Sequence, residues 1–266
     1  MKKLFTRILA LVLGITCLFT ATACGGGDKG DMQAIKDAGK IVVGVTVYPP
    51  MDYIDEETGE WTGFDAELAQ MFAEELDVNC QIVIISWSAK VAEIKSKQID
   101  LIWNGMTASN ELGEQIDFSV SYAKNTQVAV VKTDSSIATK EQIENAKVAV
   151  EQGSAGAAVA EDEGMTNVSK VEKQIDALNE VKSGTSEVAI IDFTMAKSIV
   201  GSGEYANLKI VEGASYGDEI FAVGLRKGSD IKAELDAFLK AKYADGTLTA
   251  LATKYNVDLN TEALAQ

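Results

Sequence analysis

The segment "CQIVIISWSAKVAEIKSKQIDLIW" (residues 80–103) places two apolar runs on either side of a stretch with helical periodicity. The runs at 80–86 and 99–103 have the length of buried strands, and Val91 and Ile94 lie on one face of the helix between them. Parallel strands need a crossover connection of this kind, usually a helix. The segment therefore predicts an α/β fold in which helices cover a parallel sheet.

The same alternation extends in both directions along the chain. The run "IVVGVTV" (41–47) is followed by the turn residues Pro49 and Pro50 and then by an amphipathic helix at 63–77. A second set begins after residue 125, with predicted strands at 127–131, 147–153, 188–191 and 219–225 and two final helices at 230–244 and 248–255. No proline-rich linker separates the sets, which favours two closely connected α/β lobes.

The N-terminus has the composition of an export signal. Basic residues, ending at Arg7, precede an apolar stretch at 8–19 that is too short to span the ~30 Å of a bilayer core. Residues 1–23 are therefore predicted to be a signal peptide. Small residues before Cys24 resemble the signal for lipidation, with ordinary cleavage as the alternative. We expect residues 24–37 to form a lipidated cysteine and a flexible tether, which places the protein on the outer face of the cytoplasmic membrane, or in the periplasm.

Composition excludes several kinds of chemistry. The chain has 24 Lys and Arg against 40 Asp and Glu, a net charge of −16, so it does not suit nucleic acid binding through phosphates. The absence of histidine excludes Ser-His-Asp catalysis and imidazole metal sites, and we expect neither a metal nor a cofactor. Cys80 has no intrachain partner once Cys24 is lipidated, and Arg226 is the one arginine beyond the signal.

Candidate ligand-binding residues follow predicted strands, because ligands of open α/β sheets bind at the carboxyl ends of strands. These residues are Tyr48, Trp87, Asn104, Gly105, Thr107, Gly153, Ser154 and Asp192. Each has another interpretation. The two aromatic residues suit a half-buried core, Asp192 suits a helix N-cap, and Gly153 with Ser154 suits a helix start that holds an anion through free N–H groups.

Several motifs together resemble one known family. "VYPPMDYIDEETGEWTGFDAELAQMFAEEL", "IDLIWNGMT", "IDFSVSY", "VAVEQGSAG", "VAIID" and "FAVGLRKGSD", in this order, are similar to the extracellular solute-binding proteins (family 3 type) of polar amino-acid ABC importers. The resemblance implies a type II periplasmic-binding-protein fold, with two mixed sheets flanked by helices and joined by two hinge strands. Lobe 1 would comprise residues 38–122 and 218–266, and lobe 2 residues 123–217.

The resemblance also implies roles in an interlobe cleft. The residues matching Tyr48 and Trp87 enclose the ligand, those matching Asn104, Gly105 and Thr107 hydrogen-bond to it, and those matching Ser154 and Asp192 hold its α-carboxylate and α-ammonium. One position departs from the family pattern: Leu112 stands where the family has an arginine that grips the carboxylate through two parallel hydrogen bonds.

Three further charged residues could contribute to the cleft: Lys90, Glu151 and Arg226. Lys90 either points into the cleft as a point charge or, as we expect, lies solvated on its helix. An enzyme on this fold would need a positioned acid in the cleft, for which Glu151 is the one candidate. We expect Glu151 instead to be a solvated residue at a strand end. Arg226 matches the outer surface of the family and is a poor substitute for the missing arginine.

The resemblance predicts a monomeric, non-enzymatic lipoprotein. Its partners would be a small solute, either an amino acid or a related cationic or zwitterionic amine, and an ABC permease in the membrane. A cyclohexadienyl-dehydratase-like enzyme and a ligand-sensing receptor on the same fold are the alternatives. Because of Leu112, the sequence leaves the identity of the ligand open.

Overall fold

The computed structural model describes residues 30–266; the predicted signal peptide, Cys24 and most of the predicted tether lie outside these residues. The helices are α1 (Asp31–Ala38), α2 (Phe64–Glu75), α3 (Lys90–Lys95), α4 (Asn110–Gln115), α5 (Lys140–Glu144), α6 (Ala155–Asp162), α7 (Gln174–Ser183), α8 (Phe193–Ile199), α9 (Ile231–Ala244), α10 (Thr247–Tyr255) and α11 (Thr261–Leu264). The strands are β1 (Lys40–Val45), β2 (Tyr53–Ile54), β3 (Trp61–Thr62), β4 (Asn79–Ile84), β5 (Leu101–Ile102), β6 (Asp117–Phe118), β7 (Ala123–Lys132), β8 (Val148–Glu151), β9 (Val168–Val171), β10 (Val188–Asp192), β11 (Leu208–Phe221) and β12 (Gly224–Leu225).

Two five-stranded sheets form the two lobes. The first has the order β4-β1-β5-β12-β6, with β1 parallel to β4 and β5, and β12 antiparallel to its neighbours. The second has the order β11-β7-β10-β8-β9, with β8 parallel to β9 and β10, and β7 antiparallel to β10 and β11. The predicted α/β fold with two mixed sheets is confirmed.

Two strands carry the chain between the sheets. The chain leaves the first sheet after β6 and enters the second along β7, and it returns along β11 to β12. The ends of the two crossing strands are paired, with Ala123 opposite Phe221. The single strand predicted at 219–225 is therefore wrong. It is interrupted after Phe221, because the chain changes sheets there.

The first lobe begins earlier than predicted. Residues 31–37 belong to helix α1 and not to a flexible tether. Ile35 is buried, the Met32 N–H donates to the Asp230 carboxylate, and Asp31 pairs with Arg226 at 2.9 Å. A helix whose apolar face packs on the lobe and whose N-terminus is paired in this way is part of the folded unit.

Aromatic side chains fill the centre of the first lobe. Phe72, on the buried face of α2, packs against Trp103 after β5 and against Phe238 of α9, with ring centroids 6.3 Å and 5.2 Å apart. All three side chains are almost completely buried. This packing fixes the end of β5, from which the loop at residues 104–109 enters the cleft. Within residues 30–266, no helix is long and apolar enough to cross a membrane.

Candidate functional site

Asp192, the last residue of β10, is the centre of the candidate site. Its carboxylate accepts hydrogen bonds from the side-chain amides of Asn125, Gln127 (2.7 Å) and Gln174, and its backbone N–H donates to the Gln174 side chain at 2.9 Å. The side chain makes no capping bond to α8, which excludes the simple N-cap interpretation. Burial and the nearby Glu219 raise the pKa of Asp192 to about 7, although the amide hydrogen bonds oppose this rise.

A second carboxylate lies beside the first. Glu219, on the crossing strand β11, accepts from Asn125 at 2.8 Å and from Gln127 at 3.0 Å, the same two amides that bind Asp192. Thr107 of the first lobe also donates to Glu219, at 3.2 Å. No Lys or Arg in the described chain pairs with either carboxylate. Two neighbouring carboxylates held by neutral donors favour binding of an external cation.

Tyr48 lies above this acidic pair. Only 2% of the residue is exposed, and its hydroxyl lies beside the Asp192 carboxylate. Burial and the nearby Asp192 raise the pKa of Tyr48 well above its usual value, so the phenol is neutral. The Tyr48 hydroxyl interacts with the Asp192 carboxylate and thus forms part of the same polar site.

Gly105 shapes the cleft without offering its N–H to a ligand. That N–H donates to the Asp65 carboxylate at 2.6 Å, so Asp65 holds this part of the loop in place. The backbone has φ +55°, and a Cβ at this position would lie 2.7 Å from the Tyr48 ring. Gly105 therefore permits close packing of the Tyr48 ring.

The Asn104 side chain has no capacity left for a ligand. Its oxygen accepts from the N–H and hydroxyl of Thr46, and its amide donates to the Thr46 carbonyl and to Asp52. Since an amide offers two donors and two acceptor sites, all are used. The predicted ligand contact through this side chain is therefore corrected to bracing of the loop.

Leu112 is an apolar residue in an apolar environment. It lies in α4, where Ser109 caps the helix by accepting from the Leu112 N–H. Its side chain is half-buried against a cluster that includes Trp87, Ile94 and Met106. The position of the missing arginine is thus filled by packing on the first lobe.

Lys90 crosses the cleft, contrary to the expected solvated position. The residue is 5% exposed, its Nζ lies 4.7 Å from the centre of a Trp87 ring, and it donates to the Trp87 carbonyl at 3.2 Å. The same ammonium donates at 2.8 Å to the carbonyl of Gly153 in the second lobe. Trp87 is therefore covered by Lys90, and its ring is buried core as well as a cleft wall.

Gly153 and Ser154 form the opposite side of this contact. Gly153 has φ +76°, and a Cβ there would lie 3.1 Å from the Cα of Ser88 in the first lobe. The Ser154 hydroxyl caps α6 by accepting from the Ala157 N–H at 3.2 Å, which leaves its own proton available to donate. The structure thus brings both residues to the lobe interface beside Lys90.

Glu151 was expected to be solvated, and the structure buries it. Only 2% of the residue is exposed, and its Oε1 has no partner within the described chain. Burial, assisted by Asp192, raises the pKa of Glu151 to about 8, and the Lys90 charge acts in the opposite direction. Glu151 lies at the end of β8, which is buried on both faces, and its position in the apolar sequence "KVAVEQ" was the available signal.

Arg226 is buried, and its hydrogen bonds stabilise the first lobe. Its guanidinium pairs with Asp31 and Asp100 and donates to the carbonyls of Ile94 and Ile99. All these partners are in the first lobe. The prediction that Arg226 is a poor substitute agrees with this geometry, although the expected outer-surface position is wrong.

Comparison with known sequences identifies the family. Residues 41–258 match the sequence model of the bacterial extracellular solute-binding proteins, family 3. The chain belongs to this family. Among curated relatives, the solute-binding protein is 27% identical over 252 residues to the arginine-binding extracellular protein ArtP of Bacillus subtilis (strain 168), covering 93% of this chain and 96% of ArtP. It is 29% identical over 238 residues to the L-cystine-binding protein TcyJ of Escherichia coli (strain K12), covering 86% of each.

Solved structures show the same two-lobed architecture for this solute-binding protein. A mutant of ArgBP from T. maritima superposes with a TM-score of 0.80 at 28% identity, covering 85% of this chain and 98% of ArgBP. The ancestral amino acid-binding protein AncCDT-1, described as a precursor of cyclohexadienyl dehydratase, gives a TM-score of 0.76 at 27% identity, covering 84% and 98%. The predicted family is therefore confirmed, and its members bind solutes outside the cytoplasm.

Proposed function

We propose that this protein captures an amino acid, or a related amine, between its lobes and delivers it to an ABC permease. The observation that carries the proposal is the Asp192–Glu219 pair, two adjacent carboxylates whose protein partners in the described chain are neutral. An ammonium group placed there gains two charge-assisted contacts and relieves the repulsion between the acids. Relatives named for arginine and L-cystine binding support a ligand of this class.

The acidic groups of the cleft favour a solute that carries an ammonium group and has no net negative charge. Asp192, Glu219 and Glu151 supply three carboxyl groups, and Lys90 supplies a buried ammonium that acts on Glu151. An acidic amino acid would add a further carboxylate to this set. Neutral and basic amino acids are therefore preferred over aspartate and glutamate.

Delivery to a permease requires the protein to be outside the cytoplasm and close to the membrane. In this proposal residues 1–23 direct export, and lipid on Cys24 retains the protein at the membrane surface, where it acts as a monomer. The expected signal sequence and the small residues before Cys24 support this arrangement. Metabolic labelling with a palmitate analogue tests it: Cys24→Ser should abolish labelling and release the protein from the membrane fraction.

A thermal-shift screen tests the binding proposal. Free ligand at 100 times its Kd adds about 2.7 kcal/mol to stability, which corresponds to roughly 5–10 °C in a chain of this size. We expect such a shift with at least one neutral or basic amino acid among the twenty, and none with aspartate or glutamate. The absence of a shift with every amino acid and small amine would contradict the proposed function.

A further inference from the structure

Lys90 is a buried cation without a counter-charge in contact. Its ammonium makes two hydrogen bonds, both to backbone carbonyls, and no carboxylate of residues 30–266 forms an ion pair with it. Because an ammonium has three N–H donors, one donor of Lys90 is left without an acceptor. Glu151 of β8 and Glu111 of α4 are the acidic groups that act on Lys90 through space. Burial of a charge in this way is unfavourable unless another group compensates.

The position of Lys90 is suited to an anion. Its Nζ contacts Gly153, which directly precedes the Ser154 cap of the eight-residue helix α6. The first-turn N–H groups of a helix and the positive end of its dipole also attract negative charge. A carboxylate at this point would therefore meet the free ammonium donor, the Ser154 hydroxyl and the start of α6.

Lys90 and the acidic pair lie at two different places in one cleft. Asp192 and Glu219 are held on the second sheet and its crossing strand, whereas Lys90 extends from the first lobe to Gly153. A zwitterion can satisfy both places, with its ammonium on the acids and its carboxylate on Lys90. Leu112 leaves this carboxylate role open, because its side chain packs into the apolar cluster around Trp87.

We propose that the Lys90 ammonium is the carboxylate-binding cation of this cleft and makes the protein select zwitterions over the corresponding decarboxylated amines. This inference rests on the proposed function, since it names the second subsite of the same cleft. It also gives Lys90 a role in closure, because the residue reaches from one lobe to the backbone of the other.

The test compares three matched pairs of solutes by isothermal titration calorimetry: L-arginine with agmatine, L-lysine with cadaverine, and L-glutamine with 4-aminobutanamide. For the zwitterion that binds best, the wild type should prefer it over its amine by at least about 30-fold, and Lys90→Met should reduce this preference to less than about threefold. Lys90→Arg, which keeps the charge, should retain at least half of the preference on a logarithmic scale. Lys95→Met is the matched control, since Lys95 lies exposed on the same helix.

The pH dependence of binding gives a second readout. Burial lowers the pKa of Lys90 to about 8. The preference of the wild type should therefore fall about tenfold between pH 7 and pH 9, and that of Lys90→Met should not. An unchanged preference in a folded Lys90→Met protein would overturn the inference and leave the proposed function intact. Failure of every zwitterion to bind the wild type would overturn both.

Discussion

Replacement of Glu151 by glutamine should stabilise the protein, and the gain should grow with pH. Glu151 is buried with an unpaired Oε1, and burial raises its pKa from 4.5 to about 8. A raised pKa means that the folded state holds the proton more tightly than the unfolded state. The stability associated with protonated Glu151 is thus fully present below pH 4.5, decreases as the pH rises, and is lost above about pH 8.

The size of the effect follows from the pKa shift. Each pKa unit corresponds to 1.36 kcal/mol, so the shift from 4.5 to about 8 sets an upper limit of about 5 kcal/mol on the gain at pH 8.5. We expect on the order of 2–4 kcal/mol, because the glutamine amide is buried at the same place, where Oε1 of Glu151 has no partner within the described chain. Urea unfolding without ligand at pH 5, 7 and 8.5 measures it. Glu161→Gln, on the exposed face of α6, is the control and should show little change at any pH.

A gain for Glu151→Gln that is equal at all three pH values would refute this reasoning. Such a result would mean that the carboxyl group titrates normally and that the mutation acts through packing alone.

Three further predictions concern the cleft. Asp192→Ala should weaken amino-acid binding by about 100-fold or more in calorimetry, since a buried charge-assisted contact is lost, and unchanged affinity would contradict the ammonium site. Adding Leu112→Arg to Lys90→Met should restore about tenfold of the lost preference for zwitterions, because both positions adjoin Trp87. No recovery would mean that a side chain at residue 112 does not reach the ligand carboxylate. Gly105→Ala should lower the free energy of unfolding in urea by about 2–4 kcal/mol, against about 1 kcal/mol for Gly59→Ala. Both residues have positive φ, but of the two only a Cβ at residue 105 meets an aromatic ring. Equal losses of stability would contradict the packing argument.

Local sequence patterns predict the fold well, because its strands and helices are strongly periodic. The alternation predicted at 80–103 appears in the structure as β4, α3 and β5. Two boundaries are wrong for tertiary reasons. The polar sequence of α1 hides a single buried face at Ile35, and the strand at 219–225 is interrupted where the chain changes sheets.

The candidate site is predicted less completely, because side-chain partners come from distant parts of the chain. Asp192, at the end of β10, shares two amide donors with Glu219, and Thr107 donates to Glu219. The side-chain hydrogen bonds of Asn104 are all made with Thr46 and Asp52, and no local sequence pattern reveals these partners. Glu219 is missed because it looks like an ordinary polar residue in a strand.

Lys90 and Glu151 show a further limit of sequence reasoning. A charged residue on a short helix or at a strand end is normally solvated. Lys90 is buried where it donates to Gly153 of the second lobe, and Glu151 is buried at the end of β8. The burial of Lys90 depends on a contact between the two lobes, which the sequence around Lys90 does not encode, whereas the apolar run before Glu151 is a signal of burial.

A crystal structure with the best-binding amino acid tests the central claim most directly. The account predicts that the ligand ammonium lies about 3 Å from the Asp192 carboxylate and that the ligand carboxylate faces the Lys90 ammonium beside Ser154. A ligand bound with its ammonium away from Asp192, or outside the interlobe cleft, would contradict the account.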